Sequence, residues 1–326
     1  MWKLWKRSAQ VLGGVLIAGL FTSLLAARTP VPGTVNYLEG QVSVNGTQLR
    51  PKSAGSAEVG ENQILSTDRG KAEVLLTPGV FLRVGDNSSF RMVSSGLTDT
   101  QVQLERGEAM LEVNELFKEN SIRVLENGSS TRILKNGLYQ FNADNQTVAV
   151  YDGQADVWKN DEHIKVKKGK EVTLNTPLRA VKFDRHAENA LYAWSRLRSE
   201  YDSEASAQYA SVIYVNNAPW WGPGWYWNPY WGMYGFIPGG VLYSPFGWGF
   251  YSPWAVGPYF GWYHTGRFYH GIPTRSGILA YRNRSGGVRP PGAAATQPRF
   301  RGGSPGTGRF AGSPHLGGRM PMGRTR

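Results

Sequence analysis

Between Gly33 and Leu174 apolar and polar residues alternate with period two, the spacing of half-buried β-strands. In "EAMLEV", Ala109, Leu111 and Val113 share one face, and Glu108, Met110 and Glu112 the other. "TVAVYDGQADVW" places Val148 and Val150, then Ala155 and Val157, inward on either side of a turn. "HIKVKKGKEVTL" does the same with Ile164, Val166, Val172 and Leu174. Asn45-Gly46, Pro78-Gly79, Asn127-Gly128, Asn136-Gly137 and Asp152-Gly153 punctuate the run, and such dipeptides supply the backbone angles of tight hairpins. The pattern predicts a mainly β fold. A sandwich, a roll or a short solenoid of short antiparallel strands over 33–180 would satisfy it.

The period then changes. Ala187, Leu191, Trp194, Leu197 or Arg198, and Tyr201 recur at helical spacing, which predicts one helix over 184–210 with Asp184 as its N-cap. Trp194 and Leu197 are expected to lie against the β-domain, and 30–210 is expected to fold by itself. Residues 212–270 follow neither period. Of the positions 220–270, 21 are Trp, Tyr or Phe, interleaved with Gly and Pro. The stretch "PWWGPGWYWNPYWG", 219–232, is the extreme case. Residues 271–326 are rich in Arg, Gly and Pro and too poor in apolar residues to offset their ordering entropy, so disorder is expected there. After the helix the chain is therefore expected to be irregular or disordered.

Charge sharpens this division. The formal net charge is +12, and eleven of the 36 Lys and Arg residues are arginines beyond residue 204, where there is neither lysine nor acid. The body is near neutral and the tail is basic, the signature of an interaction segment. Cysteine is absent, which removes disulfides and thiol chemistry. At the other end, "MWKLWKR" precedes "SAQVLGGVLIAGLFTSLLAA", with no charge until Arg28. Residues 1–27 thus read as a signal peptide or, if uncleaved, an inner-membrane anchor. Export to the periplasm or cell envelope follows from either.

The β-region resembles the FecR domain, the extracytoplasmic module of bacterial iron-responsive transmembrane regulators. The resemblance rests on "VGENQILSTDRGKAEVLLTPGVFLRVGDNSSFRM", 59–92, with Gly60-Glu61, Leu65, Thr67, Gly70, Ala72, Val74, Leu76, Gly79, Leu82, Val84 and Asn87-Ser88-Ser89 in the family's order. "VQLERGEAMLEV" and "IRVLENGSSTRILKNGLYQF" extend it, so that it spans roughly 34–180. Thr77-Pro78-Gly79-Val80 departs from the family's usual turn. The family's regulators bind a sigma factor through a cytoplasmic segment before the membrane helix. Here "MWKLWKR" alone precedes the apolar run, so that role is not carried over.

No catalytic constellation is present. His163, His186, His264, His270 and His315 lack the spacing of a metal pair, and no cofactor is called for. Glu105, Glu108 and Glu112 read as a solvated strand face. The candidate ligand-binding residues are Trp220, Trp221, Trp225, Trp227 and Trp231, as platforms for sugar rings or as docked side chains. The expected role is that of a non-enzymatic exported envelope protein, its FecR-like domain a scaffold for protein or glycan. A membrane-anchored FecR-type sensor of extracytoplasmic signals is the alternative. Expected partners are an envelope protein or polysaccharide, anionic envelope surfaces through the Arg-rich tail, and membrane through the N-terminal segment. Nucleic acid is disfavoured.

Overall fold

The computed structural model describes residues 29–256. The expectations for the signal or anchor segment 1–27, for His264, His270 and His315, and for the tail 271–326 lie outside the described residues.

The alternating region forms fifteen strands: β1 (Thr34–Val44), β2 (Thr47–Gln48), β3 (Ile64–Leu75), β4 (Val80–Val84), β5 (Ser89–Ser95), β6 (Thr100–Arg106), β7 (Glu108–Val113), β8 (Ile122–Glu126), β9 (Ser129–Ile133), β10 (Gly137–Asn142), β11 (Thr147–Asp152), β12 (Gln154–Lys159), β13 (Glu162–Lys167), β14 (Lys170–Thr173) and β15 (Arg179–Lys182). They make one sheet in the order β13-β12-β9-β8-β6-β5-β3-β4-β7-β10-β11-β14-β15, with β1 paired to β3 and β2 to β1. Asn45-Gly46 and Asn127-Gly128 close hairpins as the sequence predicts, with positive φ at both residues of each, whereas Asn136-Gly137 and Asp152-Gly153 join strands that do not pair. One pairing departs from the antiparallel expectation: β6 and β8 run parallel.

The sheet folds over because its long strands change partners midway. The first residues of β3 pair with β5 and its last with β4. Between them Gly70 faces Gly40 of β1, and a Cβ on Gly70 would stand 2.5 Å from the Gln41 amide nitrogen. The backbones can approach this closely only without side chains. The two arms enclose a single core that includes Val35, Leu65, Val74, Phe90, Leu111, Phe141, Val148, Val157, Val166 and Val172.

The helix, α1, runs from Ala190 to Val215, later than expected. Its N-cap is Asn189, whose side chain accepts from the Tyr192 amide, and not Asp184, whose carboxylate accepts from the His186 amide. Its buried face also differs. Leu191 is buried and Trp194 half-buried, but the inward stripe continues through Ser195, Arg198, Ser199, Asp202, Ser203 and Ser206. Small hydroxyl side chains let α1 lie close to its neighbours, and the oxygens of Ser199, Ser203 and Ser206 find partners there, whereas that of Ser195 has none. Ser203 donates to the Gly249 carbonyl at 2.6 Å and Ser206 to the Phe236 carbonyl.

Beyond α1 the Gly/Pro/aromatic stretch makes two hairpins, β16 (Gly224–Asn228) with β17 (Met233–Ile237) and β18 (Val241–Tyr243) with β19 (Gly249–Tyr251). Period two is invisible here because β17 is buried on both faces and β16 is half-buried along most of its length. Residues past 210 are thus drawn into the core. Tyr234, Phe236 and Phe250 pack directly on Leu75 and Phe81 of the sheet.

Candidate functional site

Five charged side chains meet where α1 crosses the sheet. Strands β3, β4 and β7 lie side by side and point Glu73, Arg83 and Glu112 away from the main core, on the face where Phe81 and Met110 also emerge. α1 lowers Arg198 and Asp202 onto them, one turn apart. Arg83 is fully buried and donates to Glu73 at 2.8 Å, to Asp202 at 2.8 Å and to Glu112. Arg198 donates to Glu73 at 2.9 Å and to Asp202 at 3.3 Å. Its guanidinium also lies over the Tyr37 ring, 4.1 Å from the centroid. Ser199 donates to Glu112 at 2.8 Å, and Asn36 bridges Glu73 to the backbone of Tyr234.

Three carboxyls against two guanidiniums leave one acid in excess. Burial alone would raise the Glu73 carboxyl, but Arg198 and Arg83 overcome it and hold Glu73 well below the usual carboxylate range. Asp202 moves the other way: burial and the neighbouring Glu73 charge push it well above its ordinary value. Glu73 and Asp202 thus titrate as one coupled pair, in which the two guanidiniums favour the charge on Glu73 and burial favours the proton on Asp202. Both arginines stay charged, because the carboxylates outweigh the desolvation that would strip their protons. Among the described residues no group of His, Cys, Asp or Glu is arranged to hold a metal ion. The cluster's donors are spent on its own members. Its effect is mechanical: it clamps α1 to the sheet.

Glu112 thereby corrects the expectation of a solvated strand face, since it is fully buried. Glu105 does stay near solvent and pairs with Arg91 at 2.8 Å, while Glu108 accepts from Gln140 at 3.0 Å. Glu73, Arg83 and Asp202 escaped the sequence reading, and Arg198 entered it only as an alternative to Leu197 on the helical stripe. A visible signal existed for Arg83, which is the one charge in the otherwise apolar strand β4.

The five candidate tryptophans are divided by the fold. Trp225 packs edge-on against Phe81, with centroids 5.1 Å apart, and against Phe236. Trp227 meets Tyr234 at 5.0 Å and rests on Gly55, where a Cβ would stand 2.3 Å from the indole. Trp220 packs on a small cluster of Ala207, Ala210, Ile213, Ile237, Tyr251 and Val256. Trp231 donates to the Gln208 side chain at 2.8 Å. Trp221 alone among the five stands out, at 88% exposure. Exposed apolar side chains also stand at the C-terminal end of α1, Tyr214 and Val215, and at Trp254. Tyr214 and Trp254 touch edge-on at 6.5 Å. This rim is the candidate contact surface.

Fold and site together define a folded-over β-sheet module with a helix-and-hairpin lid locked on by buried charge. Residues 62–156 match the FecR protein family, so the chain carries a FecR domain, and the matched stretch contains Glu73, Arg83 and Glu112. No curated protein matches the chain. Two solved structures of a protein named as a proposed anti-sigma factor of Parabacteroides distasonis are similar to it. One shows 15% identity and a TM-score of 0.32 over 43% of this chain and 64% of that one. The other shows 13% identity and a TM-score of 0.33 over 42% and 64%. The chain thus spans under two thirds of the length of those proteins.

Proposed function

We propose that this protein is a non-enzymatic regulator of the FecR type. It works outside the cytoplasm, is held at the membrane by its N-terminal segment, and meets its partner through the lid. The observation that carries this reading is the FecR match over 62–156, which falls on the strands that anchor the lid. FecR-type proteins are associated with membranes and carry an extracytoplasmic domain, which supports placing residues 30 onward outside. Among the described residues no helix is long and apolar enough to cross a membrane, so on this reading the anchor is 1–27. The Tyr214–Val215–Trp221–Trp254 rim suits an envelope protein or polysaccharide, since exposed aromatic groups of this size mark contact surfaces. Attachment through a buried ionic clamp would pass a load on the rim to the sheet.

The test compares transcripts in a strain lacking the gene with the same strain carrying either the unaltered chain or a Val215→Ser, Trp221→Ser, Trp254→Ser variant. A defined set of transcripts should change on deletion, recover with the unaltered chain and fail to recover with the variant. Unchanged transcripts on deletion would overturn the regulatory reading. Recovery with the variant would move the contact off the rim. The exposed rim also fits a structural scaffold of the envelope, which predicts altered envelope integrity with transcripts unchanged.

A further inference from the structure

On the far arm of the sheet, away from the lid, one cross-strand row breaks the charged pattern of its surroundings. Gln103, Leu125, Ser130, Trp158 and His163 lie side by side across β6, β8, β9, β12 and β13. Ser130 is the small member between Leu125 and Trp158. It leaves a groove of about 480 Å³ lined by Gln103, Leu125, Ser130, Trp158 and Asn160, with Glu126 and Lys159 also in its wall. That volume lies within the range of small-molecule sites. The Trp158 ring is stacked on His163 at 4.1 Å and 24° between planes, which fixes its orientation, yet Trp158 is 49% exposed. The groove therefore offers a flat, rigid aromatic face, an apolar floor and hydrogen-bonding groups, with one carboxyl and one amine in its wall.

The next row on the same face lies two residues along each strand, about 7 Å away. It reads Gln101, Arg123, Arg132, Asp156 and Lys165. Arg123 and Arg132 stand directly opposite each other in an antiparallel pair, where like charges destabilise. Arg123 has Asp99 only at 4.0 Å, Asp156 turns toward His163 at 3.6 Å, and Arg132 is exposed. A bound anion between the two arginines would relieve the repulsion, and a carboxylate fits a guanidinium fork.

We propose that this groove binds an acidic saccharide, with a pyranose ring on Trp158, its hydroxyls on Gln103, Ser130 and Asn160, and its carboxylate toward Arg132 and Arg123. The site is separate from the lid and does not depend on the regulatory reading.

The test titrates the purified full chain with oligogalacturonate and with its methyl-esterified form, which keeps the rings and removes the charge. The unaltered protein should bind the charged form more tightly. Trp158→Ala should weaken both by about fivefold or more, as loss of a stacking platform does, while Trp158→Phe keeps most of the binding. Ser130→Gln, which fills the groove and leaves the platform, should weaken both. Arg132→Gln should weaken only the charged form and close the gap. Every variant keeps the arginine-rich segment, so its non-specific attraction is common to all. Trp158→Ala binding like the unaltered protein would overturn the site. Equal binding of the charged and esterified forms would overturn its acidic specificity. Transcript responses are not read in this assay, so its failure leaves the regulatory test untouched.

Discussion

Within the buried cluster the two acids that face each other have different jobs, so their amides should behave differently. Asp202 is the member of the pair pushed upward, and Asp202→Asn keeps a neutral group that can donate to Glu73. The expected cost is about 1 kcal/mol, the loss of one hydrogen bond. Glu73→Gln instead removes a charge that two buried guanidiniums share, and should cost about 3–5 kcal/mol. Denaturant melts of the two variants check this, and equal losses would show that the proton is not on Asp202. Glu126, on β8 and far from the lid, makes a separate point. It lies two residues after Val124, on the same inward face, and neither of its carboxylate oxygens has a hydrogen-bond partner. Burial pushes it from 4.5 up to about 8, and Lys159 draws it back only in part. A raised folded-state value means that the native chain is favoured while Glu126 is protonated. That advantage is complete below pH 4.5 and is lost as pH rises toward 8, by up to about 1.4 kcal/mol per unit. Glu126→Gln should therefore melt like the unaltered protein at pH 4 and distinctly higher at pH 8.

Among the elements, those whose neighbours lie close in sequence were legible, and those recruited from afar were not. The strands of 33–180 follow from alternation and turn dipeptides, because each hairpin buries its own inward row. The parallel β6–β8 pair could not be read, since nothing local selects it. α1 was misplaced because its inward stripe is Ser, Arg and Asp, which an apolar periodicity discounts; those side chains are buried only because Glu73, Arg83 and Glu112 wait opposite. The hairpins of 224–251 were hidden for a similar reason: β17 and β19 are covered on both sides, and such strands do not alternate. Of the candidate site, the residue type was legible and the exposure was not. Trp225→Ala and Trp227→Ala should each lower stability by about 2–3 kcal/mol, somewhat less than for a fully buried tryptophan. Trp221→Ala should stay within about 0.5 kcal/mol, as an exposed residue does. Thermal melts of the three single variants separate packing from presentation.

At the scale of the molecule, the question is whether sheet and lid are two folding units or one. Their interface answers it. Leu75 and Phe81 are fully buried, and the side chains over them are Tyr234, Phe236 and Phe250 from the hairpins. Asn36 of β1 both donates to and accepts from the Tyr234 backbone, at 3.1 Å and 2.8 Å. The fully buried Arg83 is sealed by α1 on one side and shares its strand face with Phe81. A chain ending at residue 210 would keep the ionic cluster but lose its aromatic roof. Water would then reach Leu75, Phe81 and the charges, and the uncovered apolar area alone costs about 25 cal/mol per Å². We expect residues 29–256 to melt in a single cooperative transition, with near- and far-ultraviolet dichroism falling together. We expect 29–210 to melt at least 10 °C lower, since a loss of several kcal/mol shifts a domain of this size by about 2–4 °C per kcal/mol. Equal melting of the two fragments would show that the sheet and helix stand alone and that the hairpins are an appendage. A first, separate transition in 29–256 would show the same.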